Sequence, residues 1–535
     1  MKLLLKLIFA FFCLFSGLHS FGQLTSTNLP IVIITTPAAI TTTQSQGSVS
    51  IIDNISGTNT PSDPAKFVGM IGINIRGNAT SPKPSYSIET WSAPTISLDT
   101  SLLGMPSEND WVLLSSYEDR SLMRSTLAFK THDQMGRYSP RMKYCEVIVN
   151  SQYQGIYTFG EKIKRDSLRL DIAKLTNIDN AGENLTGGYI WRIDGNGAGW
   201  TSAFLPPFAS TQTINFEYDY PSATDIIPAQ EAYIKSYIDS FEAAMNASNF
   251  QDTALGWRRF GAVNSFIDFM IMQEVSKNNE AYRKNTFFFK DKSTKMRPGP
   301  LWNFELAWKN TSDCNSAVDT GWCYNYGGVC GTSSKLPTFW WNKLSTDAQF
   351  MEDLKCRYSQ FRKPGGALDT ATLFHAMDSI NNYLNLTGAV NRNFTQYPIW
   401  GVPLVNEPLP MAATYVEEID NMKKFIKTRL AWLDTKWITT SPLCPSPVSV
   451  KNISKKTTLS LYPNPSSKTI QVVLQQTQAN EFFKAELFNI QGSKVITQTG
   501  KGDRFIMNIQ SLPQGIYVLH VRTKQGMSST KLIKE

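Results

Sequence analysis

Histidine is scarce in these 535 residues: there are four, and His19 directly follows the N-terminal apolar stretch. The other three, His132, His375 and His520, are scattered, which argues against a His-rich metal site and against a Ser-His-Asp triad. Long hydrophobic runs are also lacking. The one candidate, Leu7 to Leu18, is shorter than the roughly twenty residues that a membrane span needs, so no transmembrane helix is expected. No cluster of Lys and Arg resembles a nucleic-acid footprint, so no nucleic-acid partner is expected. There is no CxxC pair, and none of the seven cysteines has a neighbouring histidine that would suggest zinc.

What is present points to an exported, folded chain. Lys2 and Lys6 precede or flank the apolar run, and small residues follow it at Ser20 and Gly22, as in a secretory signal peptide cleaved after residue 22. Removing Cys13 with that leader leaves six cysteines, an even number that favours disulfides in an exported protein. Cys314, Cys323 and Cys330 lie close together and are expected to staple a long loop. The net charge of +8 falls to +6 without the leader. Residues 458–535 hold nine Lys/Arg against four Asp/Glu, so the long middle part is close to neutral. Hydrophobic residues at 41% and aromatics at 12%, most of them before residue 440, predict a large core with wide aromatic packing.

Alternation and β-branched residues predict strands at 29–35, 68–75, 111–115, 144–149, 156–159 and 188–193, with a hairpin turn within 150–155. Helices are expected at 121–134, 228–246 and 257–277, the last apolar nearly all round and therefore deeply buried. Another starts at Thr414, where Glu417 completes a possible capping box. The fold class expected is α+β, a β-rich lobe followed by a helical lobe. Residues 438–457 read as a linker. Short alternating strands in 458–535, punctuated by glycines, predict a small all-β sandwich.

That tail carries Leu461-Tyr462-Pro463-Asn464-Pro465, then Leu487-Phe488-Asn489-Ile490-Gln491-Gly492, Leu512-Pro513-Gln514-Gly515-Ile516-Tyr517 and Lys531-Leu532-Ile533-Lys534. In this order the motifs resemble the C-terminal sorting domain of the type IX secretion system, as found in Bacteroidetes. The resemblance implies passage through the type IX secretion machinery and release or attachment at the outer cell surface.

Residues 23–437 resemble the CotH kinases. The resemblance rests on Arg76-Gly77-Asn78 with Lys83 and Tyr86, Leu103-Gly104-Met105-Pro106, Asp110-Trp111-Val112-Leu113 and Asp119-Arg120-Ser121-Leu122-Met123-Arg124. It continues through Tyr153-Gln154-Gly155-Ile156-Tyr157, Glu161-Lys162, Gly187-Gly188-Tyr189-Ile190, Glu274, Asn278, Tyr282-Arg283, Gly299-Pro300-Leu301-Trp302 and Glu417-Glu418-Ile419. It implies a two-lobed, atypical protein-kinase-like fold using ATP and Mg²⁺ to phosphorylate Ser or Thr of a secreted or surface protein. Phosphoryl transfer needs cations on the phosphates, oxygens on the metal and an acid to orient the acceptor. By resemblance the cofactor-binding residues are Arg76, Lys83, Arg124, Glu161 and Lys162, the metal residues Asn303 and Glu305, and the catalytic residues Glu280 and Asn278.

Three positions depart from the family pattern. Glu280 and Asn303 stand where aspartates are usual, and Pro84 stands where a second lysine is usual. Mg²⁺ binds oxygen at about 2.0–2.1 Å in near-octahedral geometry, so a longer carboxylate and a neutral amide both change the site. One reading is a rewired site, in which an extended 302–306 segment puts Asn303 and Glu305 on the same face. The other is an inactive pseudokinase that serves as a surface binding or adhesion protein. A glycosidase-like use of Glu280 and Glu305 is a third class, with no motif in its favour.

Overall fold

A computed structural model describes residues 24–535 apart from 55, 196, 209–210, 332–334, 405, 441–443, 445–457, 476–481, 490–493 and 524–525. The expected signal peptide and nearly all of the expected linker lie outside the described residues. The chain divides into two compact units, Met1–Ser441 and Pro442–Glu535.

The first unit begins with an eight-stranded sheet built from β1 (Ile31–Thr35), β2 (Ser45–Ile52), β3 (Phe67–Arg76), β4 (Ser85–Ala93), β5 (Ile96–Ser97), β6 (Asp110–Leu114), β7 (Met142–Val149) and β8 (Gln152–Glu161). Its order is β3-β2-β1-β7-β8-β6-β4-β5, and β3 also pairs with β4, so the sheet closes on itself. Alternate residues fill the interior, among them Ile34, Ile51, Ile73, Trp111, Val147 and Phe159. Cys145 belongs to the same packing and is a buried free thiol. The hairpin between β7 and β8 turns on two residues, Asn150 and Ser151, both with positive φ, as a right-twisted ribbon prefers.

Helix α1 (Arg124–Gln134) starts three residues later than expected, because Asp119 accepts the N–H groups of Ser121 and Arg124 and Leu122 takes a positive φ. The part expected to be mainly helical contains a five-stranded sheet. It is formed by β9 (Tyr189–Ile193), β10 (Gly199–Thr201), β11 (Asn215–Tyr220), β12 (Thr286–Lys290) and β13 (Arg297–Pro298), in the order β10-β11-β9-β12-β13. Helices α2 (Pro228–Asn246) and α3 (Val263–Ser276) accompany it. The break before α3 falls at Gly261, which bridges to Met296 between the Trp257 and Phe266 rings, where a Cβ would meet both. Helices α4 (Phe339–Leu344), α5 (Ala348–Phe361), α6 (Thr370–Asn385), α7 (Ala389–Gln396) and α8 (Tyr415–Trp437) complete the unit. Only half of the expected capping box forms at α8: Thr414 accepts the Glu417 N–H, while the Glu417 carboxylate takes the Ala413 N–H. One large aromatic core joins these elements, with Trp257, Trp340, Trp341 and Tyr282 fully buried.

Of the three clustered cysteines, Cys314 pairs with Cys330, whereas Cys323 is a buried free thiol. Cys356 and Cys444 are also disulfide-bonded.

The second unit is all β. A three-stranded sheet, β14 (Thr458–Tyr462), β15 (Thr469–Gln475) and β18 (Arg504–Asn508), and a four-stranded sheet, β17 (Lys494–Lys501), β16 (Phe482–Asn489), β19 (Gly515–Thr523) and β20 (Gly526–Lys534), share one apolar cluster. Ile470, Val472, Leu487, Leu519 and Leu532 lie within it.

Candidate functional site

A cavity of 490 Å³ opens between the closed sheet and the five-stranded sheet of the first unit. Five of the nine residues singled out from sequence line it: Arg76, Lys83, Lys162, Asn303 and Glu305. Arg76 ends β3, Lys83 precedes β4, and Lys162 follows β8.

The cations are held differently. Lys83 is 1% exposed, and its Nζ donates to the Ile156 carbonyl at 2.5 Å and to Asn393 Oδ1 at 2.8 Å, beneath the Tyr157 ring. Gly155, with φ +79°, makes room for this: a Cβ there would lie 2.4 Å from Asn393 Oδ1. Burial pulls the Lys83 ammonium down to about 7 against the opposing pull of Glu305. Arg76 is stacked over Trp302, its Cζ 5.1 Å from the ring centroid, and its Nη1 is buried with no hydrogen-bond partner among the described residues. Burial, with Arg192 adding to it, lowers this guanidinium to about 10, so it stays charged at neutral pH.

The acids come from the 302–305 segment and from its surroundings. That segment is not extended, as the alternation argument required: Asn303 has φ +50°, a conformation that asparagine tolerates, and a turn follows. Asn303 and Glu305 nevertheless both reach the cavity. The turn is fixed from outside, by Phe304 N–H donating to Ser125 Oγ at 3.0 Å and by Asn310 Nδ2 donating to the Glu305 carbonyl at 2.7 Å. Burial raises the Glu305 carboxyl to about 8, with the charges of Asp119, Glu118 and Glu280 adding and Lys83 opposing.

Glu280 stands behind the wall rather than on it. Its Oε2 accepts from Asn303 Nδ2 at 2.9 Å and from Asn285 Nδ2 at 2.7 Å. The amide nitrogen of Asn303 is thereby turned to Glu280, and its Oδ1 accepts the Glu305 N–H at 3.4 Å, with one lone pair left over. Two aspartates at this distance would repel, so the glutamate–asparagine pair removes that repulsion. Asn278 also lies behind the wall, donating to Gln273 Oε1 at 3.1 Å and accepting the Glu280 N–H at 3.2 Å.

Two residues expected to serve phosphate face other groups. Arg124 is buried and ion-paired with Asp119 at 2.5 Å and with Glu418 at 2.7 Å, and its Nε donates to the Ala307 carbonyl at 3.0 Å. It therefore braces the segment that carries Glu305. Glu161, also buried, accepts from Arg141 at 2.5 Å and from Tyr138 at 3.1 Å, and does not hold a cavity cation.

The cavity also contains charged groups that sequence reasoning missed: Glu118, Arg192 and Asp194. Arg192 and Asp194 are two residues apart along and just beyond β9, a spacing that puts them on one face, and this signal was readable. Glu118 precedes the Asp119-Arg120 motif and has no marker in sequence. Burial raises its carboxyl, which has no ion-pair partner among the described residues.

A family model described as CotH kinase protein matches residues 73–433, and one described as secretion system C-terminal sorting domain matches residues 460–535. No curated protein matches the chain. The second match marks the chain for the type IX secretion machinery, and so for the cell surface or beyond. Among the described residues, no helix is long and apolar enough to cross a membrane.

Proposed function

Because the chain belongs to the CotH kinase family over residues 73–433, we propose that it is an exported phosphotransferase that binds ATP and Mg²⁺ in the 490 Å³ cavity and phosphorylates Ser or Thr of a secreted or surface protein. On this reading the closed sheet and the five-stranded sheet with its helices act as the two lobes of a kinase-like domain. The observation that carries it is the Nη1 of Arg76, a buried donor without an acceptor on a wall that also presents carboxylates. Such a donor set and acid set together fit a magnesium polyphosphate better than either an anion or a cation alone.

Arg76 and Lys162 would hold phosphate oxygens, Lys83 would add its charge while its Nζ stays on Ile156 and Asn393, and Glu305 with the Oδ1 of Asn303 would hold the metal. The metal supplies charge neutralisation on the phosphates. Glu280 fixes the Asn303 amide, and Arg124 fixes the turn that carries Glu305, so both act through their neighbours. Glu118, a carboxylate unpaired among the described residues and with raised proton affinity, would take the proton of an acceptor hydroxyl.

The test is thermal unfolding of the chain with and without ATP and Mg²⁺, run beside a labelled autophosphorylation assay. A ligand that binds only the folded state raises Tm with concentration over Kd. A shift with label incorporation, both lost in Glu305→Gln, is the expected result. A shift without label would reduce the chain to a nucleotide-binding pseudokinase, and no shift at all would reject the nucleotide.

A further inference from the structure

Helix α7 meets the β7–β8 hairpin through two neighbouring side chains. Arg392 forks onto Glu146 of β7, with Nε at 2.9 Å and Nη2 at 2.7 Å, and that carboxylate also accepts from the Tyr153 hydroxyl. Glu146 is fully buried, so the ion pair fixes the helix against the hairpin. Asn393 is 3% exposed, and its Oδ1 accepts from the Ile156 N–H at 3.0 Å and from Lys83 Nζ at 2.8 Å. The ammonium is thus held by two acceptors distant in sequence, the Ile156 carbonyl and this amide.

Both acceptors are neutral. Glu305 attracts Lys83 but forms no ion pair with it among the described residues. The other groups around the ammonium are the Cys145 thiol on β7 and the rings of Tyr157 and Tyr397, whose centroids lie 4.8 Å and 5.4 Å from Nζ. Burial raises the proton affinity of all three, so none is an anion at neutral pH. An asparagine oxygen orients a cation without cancelling its charge. An aspartate has nearly the same shape and would cancel it.

We propose that Asn393 is a positioning residue for Lys83: from α7 it fixes the ammonium at the cavity wall and, being neutral, leaves the positive charge for the phosphates of the ligand. The proposal rests on the reading of the cavity as a magnesium–nucleotide site. It makes the seating of α7 on the hairpin a condition of tight binding, although no residue of α7 lines the cavity.

The test compares Asn393→Ala and Asn393→Asp with the wild type, each as the full chain, by thermal unfolding and by calorimetric titration with ATP and Mg²⁺. Asn393→Ala strips an acceptor from the Ile156 N–H and from a buried ammonium, so its Tm should fall. In Asn393→Asp the ammonium gains a counter-ion. Its Tm at pH 7 should exceed that of the wild type, while ATP and Mg²⁺ bind about tenfold more weakly. A residue with only a structural part would not move stability and affinity in opposite directions.

A second readout needs no ligand. Burial pulls the Lys83 ammonium down from 10.5 to about 7, so its cost to the wild type is complete below pH 7 and fades as the pH rises towards 10.5. The Tm advantage of Asn393→Asp should fade over the same window. A Tm of Asn393→Asp below that of the wild type at pH 7, or a raised Tm with unaltered affinity for ATP and Mg²⁺, overturns the proposal. If the wild type binds no ATP, the nucleotide reading fails by itself. The Tm of Asn393→Asp and its change with pH then still decide whether Asn393 holds the charge of Lys83.

Discussion

The charged groups behind the cavity and those on its wall obey opposite rules. Behind the wall, every buried charge described above is closed off. Glu274 on α3 is fully buried against Arg429 on α8 at 3.2 Å, and also accepts from Tyr282 at 3.1 Å and from the Cys323 N–H at 2.8 Å. Arg124 has its two carboxylates, and Glu161 its arginine and tyrosine. On the wall, Lys83 and Arg192 are held by Asn393 and Glu217, but two groups are left open: among the described residues Arg76 has a donor without an acceptor, and Glu118 has no ion pair. The backing spends its charges on position. The wall keeps these two for something that is not part of the chain.

Breaking the backing should therefore cost stability, and breaking the wall should not. The largest effect is expected from Arg429→Met, which strips the partner from a fully buried carboxylate and frees the carbonyls of Asp319 and Gly321. A loss of about 3–5 kcal/mol is expected, read as a lower midpoint in urea unfolding. An effect under about 1 kcal/mol would mean that Glu274 is solvated and the contrast false.

Glu242 sharpens the same rule, because it is a backing acid with no ion-pair partner among the described residues. It accepts from the Ser202 hydroxyl and from Trp340 Nε1 at 2.9 Å, and burial raises it to about 7 from 4.5. A raised carboxyl contributes stability that is complete below pH 4.5 and is lost as the pH climbs through 7. The wild type should lose up to about 3 kcal/mol over that window, a loss absent from Glu242→Gln, and calorimetry at a series of pH values measures the difference.

On the wall, Arg76→Gln should leave the urea midpoint unchanged while weakening ATP and Mg²⁺ binding about tenfold, or about 1.4 kcal/mol, as read by calorimetric titration. A destabilised variant with unaltered affinity would move Arg76 from the wall to the backing.

This division explains which parts of the molecule were legible in sequence. Period-two alternation marked β1, β3, β6, β7 and β8 of the closed sheet and β14, β15, β16, β18 and β19 of the tail, because one face of each is buried, while β2, β4, β5, β17 and β20 were missed. The 257–277 helix was recognisable from its apolar surface, but its start was set by the contact of Gly261 with Met296, which no local signal carries. Strand β12, Thr286-Phe287-Phe288-Phe289-Lys290, was missed because an aromatic run shows no period. At the site, motif matching named the charged residues without separating the two roles. Arg124 and Glu161 match the pattern as well as Arg76 and Lys162 do, yet only the latter two reach the cavity. Which way a charge faces is settled by partners such as Glu418, far from Arg124 in sequence, and Arg141, beside Glu161 across the β7–β8 pair.

The smallest effect expected comes from the one place where wall and backing meet. Asn303 is on the wall, and Glu280, 2.9 Å away, is behind it. Asn303→Asp would replace a hydrogen bond by two carboxylates in contact, and burial already raises the proton affinity of Glu280. A loss of about 1 kcal/mol is expected at neutral pH, read as a lower Tm. Mg²⁺ should recover more Tm in this variant than in the wild type, since a cation between the carboxylates removes their repulsion. Adding Glu280→Gln to Asn303→Asp restores a donor–acceptor pair with the roles exchanged, so the double variant should regain the lost Tm without the metal. If the two substitutions are additive instead, Glu280 does not position Asn303, and the amide oxygen is aimed by the turn alone.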